Sequence, residues 1–227
     1  MGKEERAFIR IYGGFMEDEQ FDSRDHFIYA VIKGLVHQRY GGVAIISTEL
    51  ILASIGFTVT SRNKTYIKDS IQKLSDAKLI DTYSDLQCEN ALDEVPLSNT
   101  FFCREREEEG HFMKLYHDDF YKFLRLDNKY KMKIFTMYYN IVSKIYDSVS
   151  SDGYTMIGIE DIVDATGINR KTVPRYTAIL MEEELMYCKK VRVSEVKEKN
   201  IYGRWENKSL IDGVFGEKHR DKQDSLE

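Results

Sequence analysis

Apolar positions in this chain recur with two different periods, and the two periods alternate in blocks. Residues 7–15 (Ala-Phe-Ile-Arg-Ile-Tyr-Gly-Gly-Phe) predict a short strand ended by Gly13-Gly14. The acids Glu17, Asp18 and Glu19 follow. Asp22 or Ser23 then caps a helix predicted to run to about Tyr40, with Phe27, Val31, Ile32, Leu35 and Val36 at helical spacing. Gly41-Gly42 stops it. Val43–Ile46 is a brief β-branched run, and Ser47 or Thr48 caps a second helix over Glu49–Ser54. After a polar connector, Thr58–Asn63, a third helix is predicted from about Lys64 to Ala77. Beyond it, Asp81–Gln87 predicts a strand and Glu89–Ser98 an acidic connector containing Pro96. Thr100–Arg106 and His111–Tyr116 read as two strands joined by Glu107–Gly110, and Asp118–Leu126 as a short helix.

The second half repeats this grammar. Lys129–Tyr146 predicts a long helix with Ile134, Tyr138, Ile141 and Ile145 on one stripe. Ile159, Ile162 and Val163 mark a short amphipathic helix that meets a turn at Thr166-Gly167-Ile168. The next helix turns Val173, Tyr176 or Thr177, and Leu180 inward, and Lys171, Arg175 and Ala178 outward. Asn169 can cap it. Alternatively the helix begins near Thr172, which places Pro174 in the first turn, where its missing N–H does no harm, and leaves Arg170 and Lys171 on the turn. Met186–Val193, a charged loop Ser194–Asn200 and Ile201–Trp205 predict a hairpin. The tail from about Gly213 is short of apolar residues and rich in Lys, Glu and Asp, and is predicted to be disordered.

Ile67, Leu74 and Leu79 correspond to Val173, Leu180 and Leu185 at a constant offset of 106 residues; Glu49, Ile51, Leu52 and Gly56 correspond to Glu160, Ile162, Val163 and Gly167 at an offset of 111. Helices alone would match some apolar pairs, but the turn glycine matches too, so a structural duplication is predicted. The fold class is therefore α+β, mainly α: two winged helix-turn-helix domains in tandem, each of three helices and a β-hairpin wing. The expected domains are 1–127 with a long acidic hairpin insertion, 128–208, and a charged tail over 209–227.

This segment order resembles plasmid replication initiators and phage replisome organisers built from two winged-helix domains. Phe8–Tyr12 leading to Asp22–Val36, then Ser47–Ile80 and Tyr130–Val193, carry the resemblance. It implies sequence-specific binding of repeated or partly symmetric double-stranded DNA sites and recruitment of host replication proteins. The acidic first half departs from that pattern.

Charge sharpens the picture because it is uneven. The net charge is −5, yet residues 1–127 carry 16 basic and 22 acidic side chains, residues 128–208 carry 14 and 11, and residues 209–227 carry 3 and 5. Local distribution sets affinity for phosphate, so the second domain is the DNA-binding candidate. Its candidate contacts are Asn169, Arg170, Lys171, Thr172 and Arg175 on the reading helix, and Lys189, Lys190, Arg192, Lys197, Lys199 and Arg204 on the wing. In the first domain the candidates are Arg62, Lys64, Lys68 and Gln72, with protein contact or dimerisation the alternative role of that face. Enzymatic chemistry finds no support. No phosphate-cradling loop, P-loop lysine or nucleophile elbow is present, and His111 and His117 on one strand would stand ~20 Å apart, too far to share an ion. Cys88, Cys103 and Cys188 are scattered and odd in number, which argues against a disulfide framework. No cofactor, metal, small-molecule ligand or membrane contact is expected, and the default compartment is the cytoplasm. A DNA-binding transcriptional regulator, a non-DNA-binding interaction module of a chromosome or replication complex, and a homodimer all stay open.

Overall fold

The chain divides into two units, Met1–Met132 and Lys133–Glu227. The computed structural model describes residues 6–36, 41–106, 110–146, 153–194 and 197–216. Both units are α+β, with helices packed on small antiparallel sheets.

In the first unit, β1 (Phe8–Tyr12) and α1 (Gly13–Glu17) precede α2 (Ser23–Leu35). β1 ends at the two glycines as expected, and they open a short helix; α2 stops at Leu35, short of the expected Tyr40, with Val36 no longer helical (φ −59°, ψ 124°), and residues 37–40 lie outside the described residues. Asp22 caps α2: its Oδ1 accepts from the backbone N–H of Arg24 at 2.8 Å and of Asp25 at 3.2 Å, while Asp25 Oδ2 accepts from the Asp22 N–H at 3.1 Å. The rest of the unit is β2 (Val43–Ile46), α3 (Thr48–Ser54), α4 (Ser61–Asp76), β3 (Ile80–Tyr83), β4 (Phe101–Glu105), β5 (Phe112–Tyr116) and α5 (His117–Arg125). Ser47 caps α3, and Thr60 caps α4.

The second unit holds α6 (Lys131–Tyr146), β6 (Tyr154–Ile157), α7 (Ile159–Thr166), α8 (Val173–Glu182), β7 (Met186–Ser194), β8 (Lys197–Arg204), a 3₁₀ turn (Trp205–Asn207) and α9 (Lys208–Gly216). Strand β6 was invisible to periodicity, because Tyr154-Thr-Met-Ile is too short to show one. The division falls at Met132, inside the start of α6, and not at Asp127-Asn128. The cause is Lys131, which is buried and donates from Nζ to the carbonyls of Ile55 at 2.9 Å and Leu124 at 3.0 Å. It anchors the first turn of α6 within the first unit.

The duplication extends to the sheets. The first unit runs α2-β2-α3-α4-β3-β4 with strand order β2-β4-β3; the second runs α6-β6-α7-α8-β7-β8 with order β6-β8-β7. Even the helix ends correspond. Lys78 (φ 62°) follows α4, and Glu184 (φ 53°), its counterpart at the offset of 106, follows α8. Both helices close through the same bonds: Leu79 N–H to Leu74 O at 3.0 Å, and Leu185 N–H to Leu180 O at 2.9 Å. The turn glycine Gly167 takes φ 65° at the end of α7, a conformation that favours glycine.

Two expectations change. First, β4 and β5 do not form a hairpin with one another. β4 is the central strand between β2 and β3, whereas β5 pairs with β1 in a separate ribbon. Alternation explains the split: Phe101 and Cys103 of β4 are buried in the three-stranded sheet, while Met113 and Leu115 bury beside Ile9 and Ile11 of β1. Second, the segment from residue 208 is not disordered up to Gly216. It forms α9, whose Ile211 is fully buried. A Cβ at Gly203 would lie 2.6 Å from Ile211 Cδ1, so the glycine lets α9 sit on the hairpin. Residues 217–227 lie outside the described residues.

One buried group makes the first unit acid-sensitive. His26, edge-on to Phe15 at 5.1 Å, is pushed down to about 4 by burial, against the pull of Asp25 and Asp22. The unfolded chain binds that proton near pH 6.5, so stability is lost as pH falls from 6.5 towards 4, by about 3 kcal/mol in full. His26→Gln is expected to flatten this slope when urea unfolding is compared at pH 7 and pH 4.5. An unchanged slope would locate the acid sensitivity elsewhere.

Candidate nucleic-acid interface

The start of α8 is settled by local bonding. Val173 is its first residue and Pro174 its second, where the proline leaves no helical hydrogen bond unmade. Thr172 occupies the cap position, and its side chain makes no capping bond. Asn169 is therefore not the cap. Its Oδ1 accepts from the Lys171 N–H at 2.9 Å and its carbonyl from the Thr172 N–H at 2.7 Å, closing the turn. Ile168 plugs the turn into the core. Arg170 and Lys171 accordingly stand exposed on the turn, and Arg175 is exposed in the first turn of the helix. Arg170 Nη1 lies 3.0 Å from Glu160 Oε1, both side chains well exposed; a pair of that kind is held weakly.

The hairpin is longer than the sequence suggested. β7 has 9 residues and β8 has 8, so Lys197–Asn200 are strand and not loop. Register sorts its cations by face. Met186 lies opposite Arg204, Cys188 opposite Tyr202, Lys190 opposite Asn200 and Arg192 opposite Glu198. These pairs share one face. At the inner end that face is core: the Tyr202 hydroxyl meets Asn200 Nδ2 at 3.0 Å and the side chains of Thr177 on α8 and Cys188. Burial, with Cys188 adding to it, pushes that hydroxyl up to about 12. Towards the tip the same face emerges into solvent with Lys190 and Arg192 exposed.

Arg204 must be withdrawn as a phosphate contact. It is 1% exposed, and its Nη1 donates to the Tyr138 hydroxyl at 2.9 Å. Its place opposite Met186 puts it on the core end of the face. Lys189 is likewise committed, on the opposite face: its Nζ lies 2.8 Å from Asp212 Oδ1 of α9, which also accepts from the Tyr187 hydroxyl at 2.8 Å. Those two donors, Lys189 first, hold the Asp212 carboxyl below the usual range. Lys199, opposite Val191, shares the face of Lys189. The side chain of Lys197 lies outside the described residues, as does Glu195.

The equivalent helix of the first unit carries a cover. The connector between β3 and β4 folds back over the outward face of α4. Lys64 Nζ donates to Glu49 Oε1 at 2.8 Å and Ser98 Oγ at 2.6 Å, and Lys68 is ion-paired with Glu94. These lysines hold the Glu49 and Glu94 carboxyls below their ordinary range. Gln72 Oε1 accepts from the Val95 N–H at 2.8 Å while its Nε2 donates to Asp76 Oδ1 at 2.9 Å. Val95 is buried, and Thr48 Oγ1 donates to Leu97 O at 2.6 Å. Lys64, Lys68 and Gln72 thus hold the chain's own connector, and Arg62 stays exposed in the first turn of α4. Val95 is the one buried residue of the Glu89–Ser98 connector, which also carries Leu92 and Leu97 among its acids.

Among the described residues no group of three or more His, Cys, Asp or Glu is placed to hold a metal ion. No described helix is long and apolar enough to cross a membrane. The three cysteines are free thiols.

Two units of the same order, each with a helix-turn-helix followed by a hairpin, define the architecture. No family model matches the sequence, and no curated protein matches it. Among solved structures, the chain is similar to domains 2–3 of RctB, with 12% identity over 78% of this chain and 80% of that one, at a TM-score of 0.37. A likeness at that level assigns no function to this chain.

Proposed function

We propose that both units are winged helices and that the chain binds double-stranded DNA sequence-specifically, as a replication initiator or replisome organiser of the plasmid or phage type. The second unit docks by the N-terminal end of α8 in the major groove, with the tip of the β7–β8 hairpin along the backbone. One observation carries this reading. Lys190 and Arg192 stand exposed at the outer end of the hairpin face whose inner end meets α8 through Tyr202 and Thr177, and Arg170, Lys171 and Arg175 are exposed at the start of that same helix. No acid interrupts α8 before Glu182. Arg175 reads bases, Lys190 and Arg192 meet phosphates, and Asn169 and Thr172 shape the turn that presents Arg170 and Lys171. The first unit serves as a protein-contacting module in this scheme, because its own connector occupies its helix face. Host replication proteins are the natural partners there.

Duplexes selected from a random pool, titrated at several salt concentrations, test the proposal. Arg175→Ala is expected to remove about 1–3 kcal/mol of discrimination between preferred and scrambled duplexes. Lys190→Ala weakens all duplexes alike and lowers the salt slope by about 0.9. Lys189→Ala, on the α9 side, leaves the slope unchanged. Absence of duplex binding even at low salt refutes the reading. Dependence of an origin-bearing plasmid on the protein then separates an initiator from a regulator.

A further inference from the structure

The β1–β5 ribbon of the first unit takes no part in the duplex interface. Its strands read Phe8-Ile-Arg-Ile-Tyr12 and Phe112-Met-Lys-Leu-Tyr116, the same aromatic–cation–aromatic alternation twice. Antiparallel register places Phe8 opposite Tyr116, Arg10 opposite Lys114 and Tyr12 opposite Phe112. Since Ile9, Ile11, Met113 and Leu115 are buried, those six side chains share the other face, with Arg10 exposed, Phe8, Phe112, Lys114 and Tyr116 half-buried, and Tyr12 buried at one corner. The rings are ordered by one another and by the cations. Phe8 and Phe112 are stacked with centroids 6.3 Å apart and planes 9° from parallel; Arg10 lies 5.1 Å from the Phe112 centroid and Lys114 4.6 Å from that of Phe8. Neither strand contains an acid. A cavity of about 820 Å³ opens along the β1 side, lined by Arg6, Arg10, Lys33 and His117, with its one acidic lining residue, Glu105, held by Lys33 at 2.7 Å.

We propose that this ribbon face is a binding site for single-stranded nucleic acid. The chemistry discriminates against a duplex. Ring faces gain from stacking only on bases whose own faces are open, and in a duplex those faces are already stacked on neighbouring pairs. Cations between the rings neutralise the backbone that links successive bases, and the cavity beside β1 offers further donors for phosphate or for an everted base. Rings and cations interleaved in this way suit a strand without regard to its sequence. The site is separate from α8 and stands or falls independently of the duplex reading.

The test uses the full chain and a fluorescein-labelled 20-nucleotide oligo(dT), followed by anisotropy, with unlabelled duplex as competitor. Two double variants separate the contributions. Arg10→Gln with Lys114→Gln keeps the rings; it is expected to weaken oligo(dT) binding at least about tenfold and to lower the salt slope by about 1.4. Phe8→Leu with Phe112→Leu keeps the apolar bulk; it is expected to weaken binding about tenfold or more with the slope unchanged. Duplex binding through Arg175 stays as it was in both. The proposal is overturned if the wild-type chain does not bind oligo(dT), or if Arg175→Ala abolishes that binding while the ribbon variants leave it intact. It is also overturned if the ribbon variants change only the molar mass in solution, which would make the face a contact between copies of the chain. Retained oligo(dT) binding that answers to the ribbon variants, in a protein that ignores duplexes, upholds this site and rejects the duplex reading.

Discussion

Asp25→Ala is expected to lower the stability of the Met1–Met132 unit by about 3 kcal/mol. Asp25 is fully buried at the start of α2 and joins that helix to α4. Its Oδ2 accepts from Lys73 Nζ at 2.6 Å and from the Asp22 N–H at 3.1 Å, and its Oδ1 accepts from Ser70 Oγ. Removing it strands a buried hydroxyl, undoes half of the capping box and takes the counter-charge from Lys73. The cost sits at the low end of the range for breaking a buried ion pair because Lys73 is 34% exposed and can return to water. In a thermal scan the unit should melt roughly 10 °C lower. Hydrogen exchange of amides in α2 and α4 reports this unit, and fluorescence of Trp205, in the second unit, provides an internal control that should not move. Burial raises the Asp25 carboxyl, but the hydrogen bonds from Lys73, Ser70 and the Asp22 N–H lower it further than that. A depressed carboxylate contributes stability above its unfolded value, near pH 4, and loses it as pH falls through the folded value. The gap between wild type and variant should therefore hold from pH 7 to about 4 and close below it. The His26 slope lies at higher pH, so the two groups separate. His26 stands in wild type and variant alike and its slope largely cancels in the gap, so a gap that closes between pH 6.5 and 4.5 would show that the effect does not come from the Asp25 carboxylate.

The helices were legible wherever a cap and an apolar stripe coincided. Asp22, Ser47 and Thr60 each begin one of the first unit's helices within a few residues of the expected start. The repeat was legible too, because Gly56 and Gly167 mark the same positive-φ turn in each copy. Strand partnership was not. Thr100–Arg106 and His111–Tyr116 are adjacent in sequence and look like a hairpin, but pairing follows which side chains bury together, a non-local property that places β4 between β2 and β3. The same limit governs the candidate site. Counting cations along the hairpin could not tell Lys190, at the exposed end of its face, from Arg204, at the buried end of the same face, because both belong to one alternation and differ only in distance from the core. α9 was not legible because it is short, with two glycines, and of its apolar residues Leu210 and Val214 are exposed while Ile211 is buried, so no clean stripe marks it.

The largest effect on DNA binding is expected from replacing Glu89–Ser98 by a short Gly-Ser link. The two copies share helix and sheet order, and in the second the outward face of α8 is exposed, whereas in the first the connector lies on α4. The connector brings Asp93 and Glu94 to a helix face that carries Lys64 and Lys68, so carboxylates stand where phosphates would stand on a reading helix. With the link in place, Lys68 loses Glu94, Lys64 loses Ser98 and keeps only the half-exposed Glu49, which phosphate can displace, and Arg62 already lies exposed beside them. Two added phosphate contacts should steepen the dependence of log K on log salt by about 1.8. The advantage of the variant over wild type on a non-specific duplex should then be roughly tenfold greater at 50 mM than at 200 mM salt. Lys64→Ala with Lys68→Ala in the linked variant should return the slope to its starting value. Circular dichroism checks that α4 survives the loss of Val95. If helicity is retained and the slope does not change, the α4 face does not accept phosphate even when uncovered, and the first unit is then a protein-contacting module by its own surface and not through the presence of the connector.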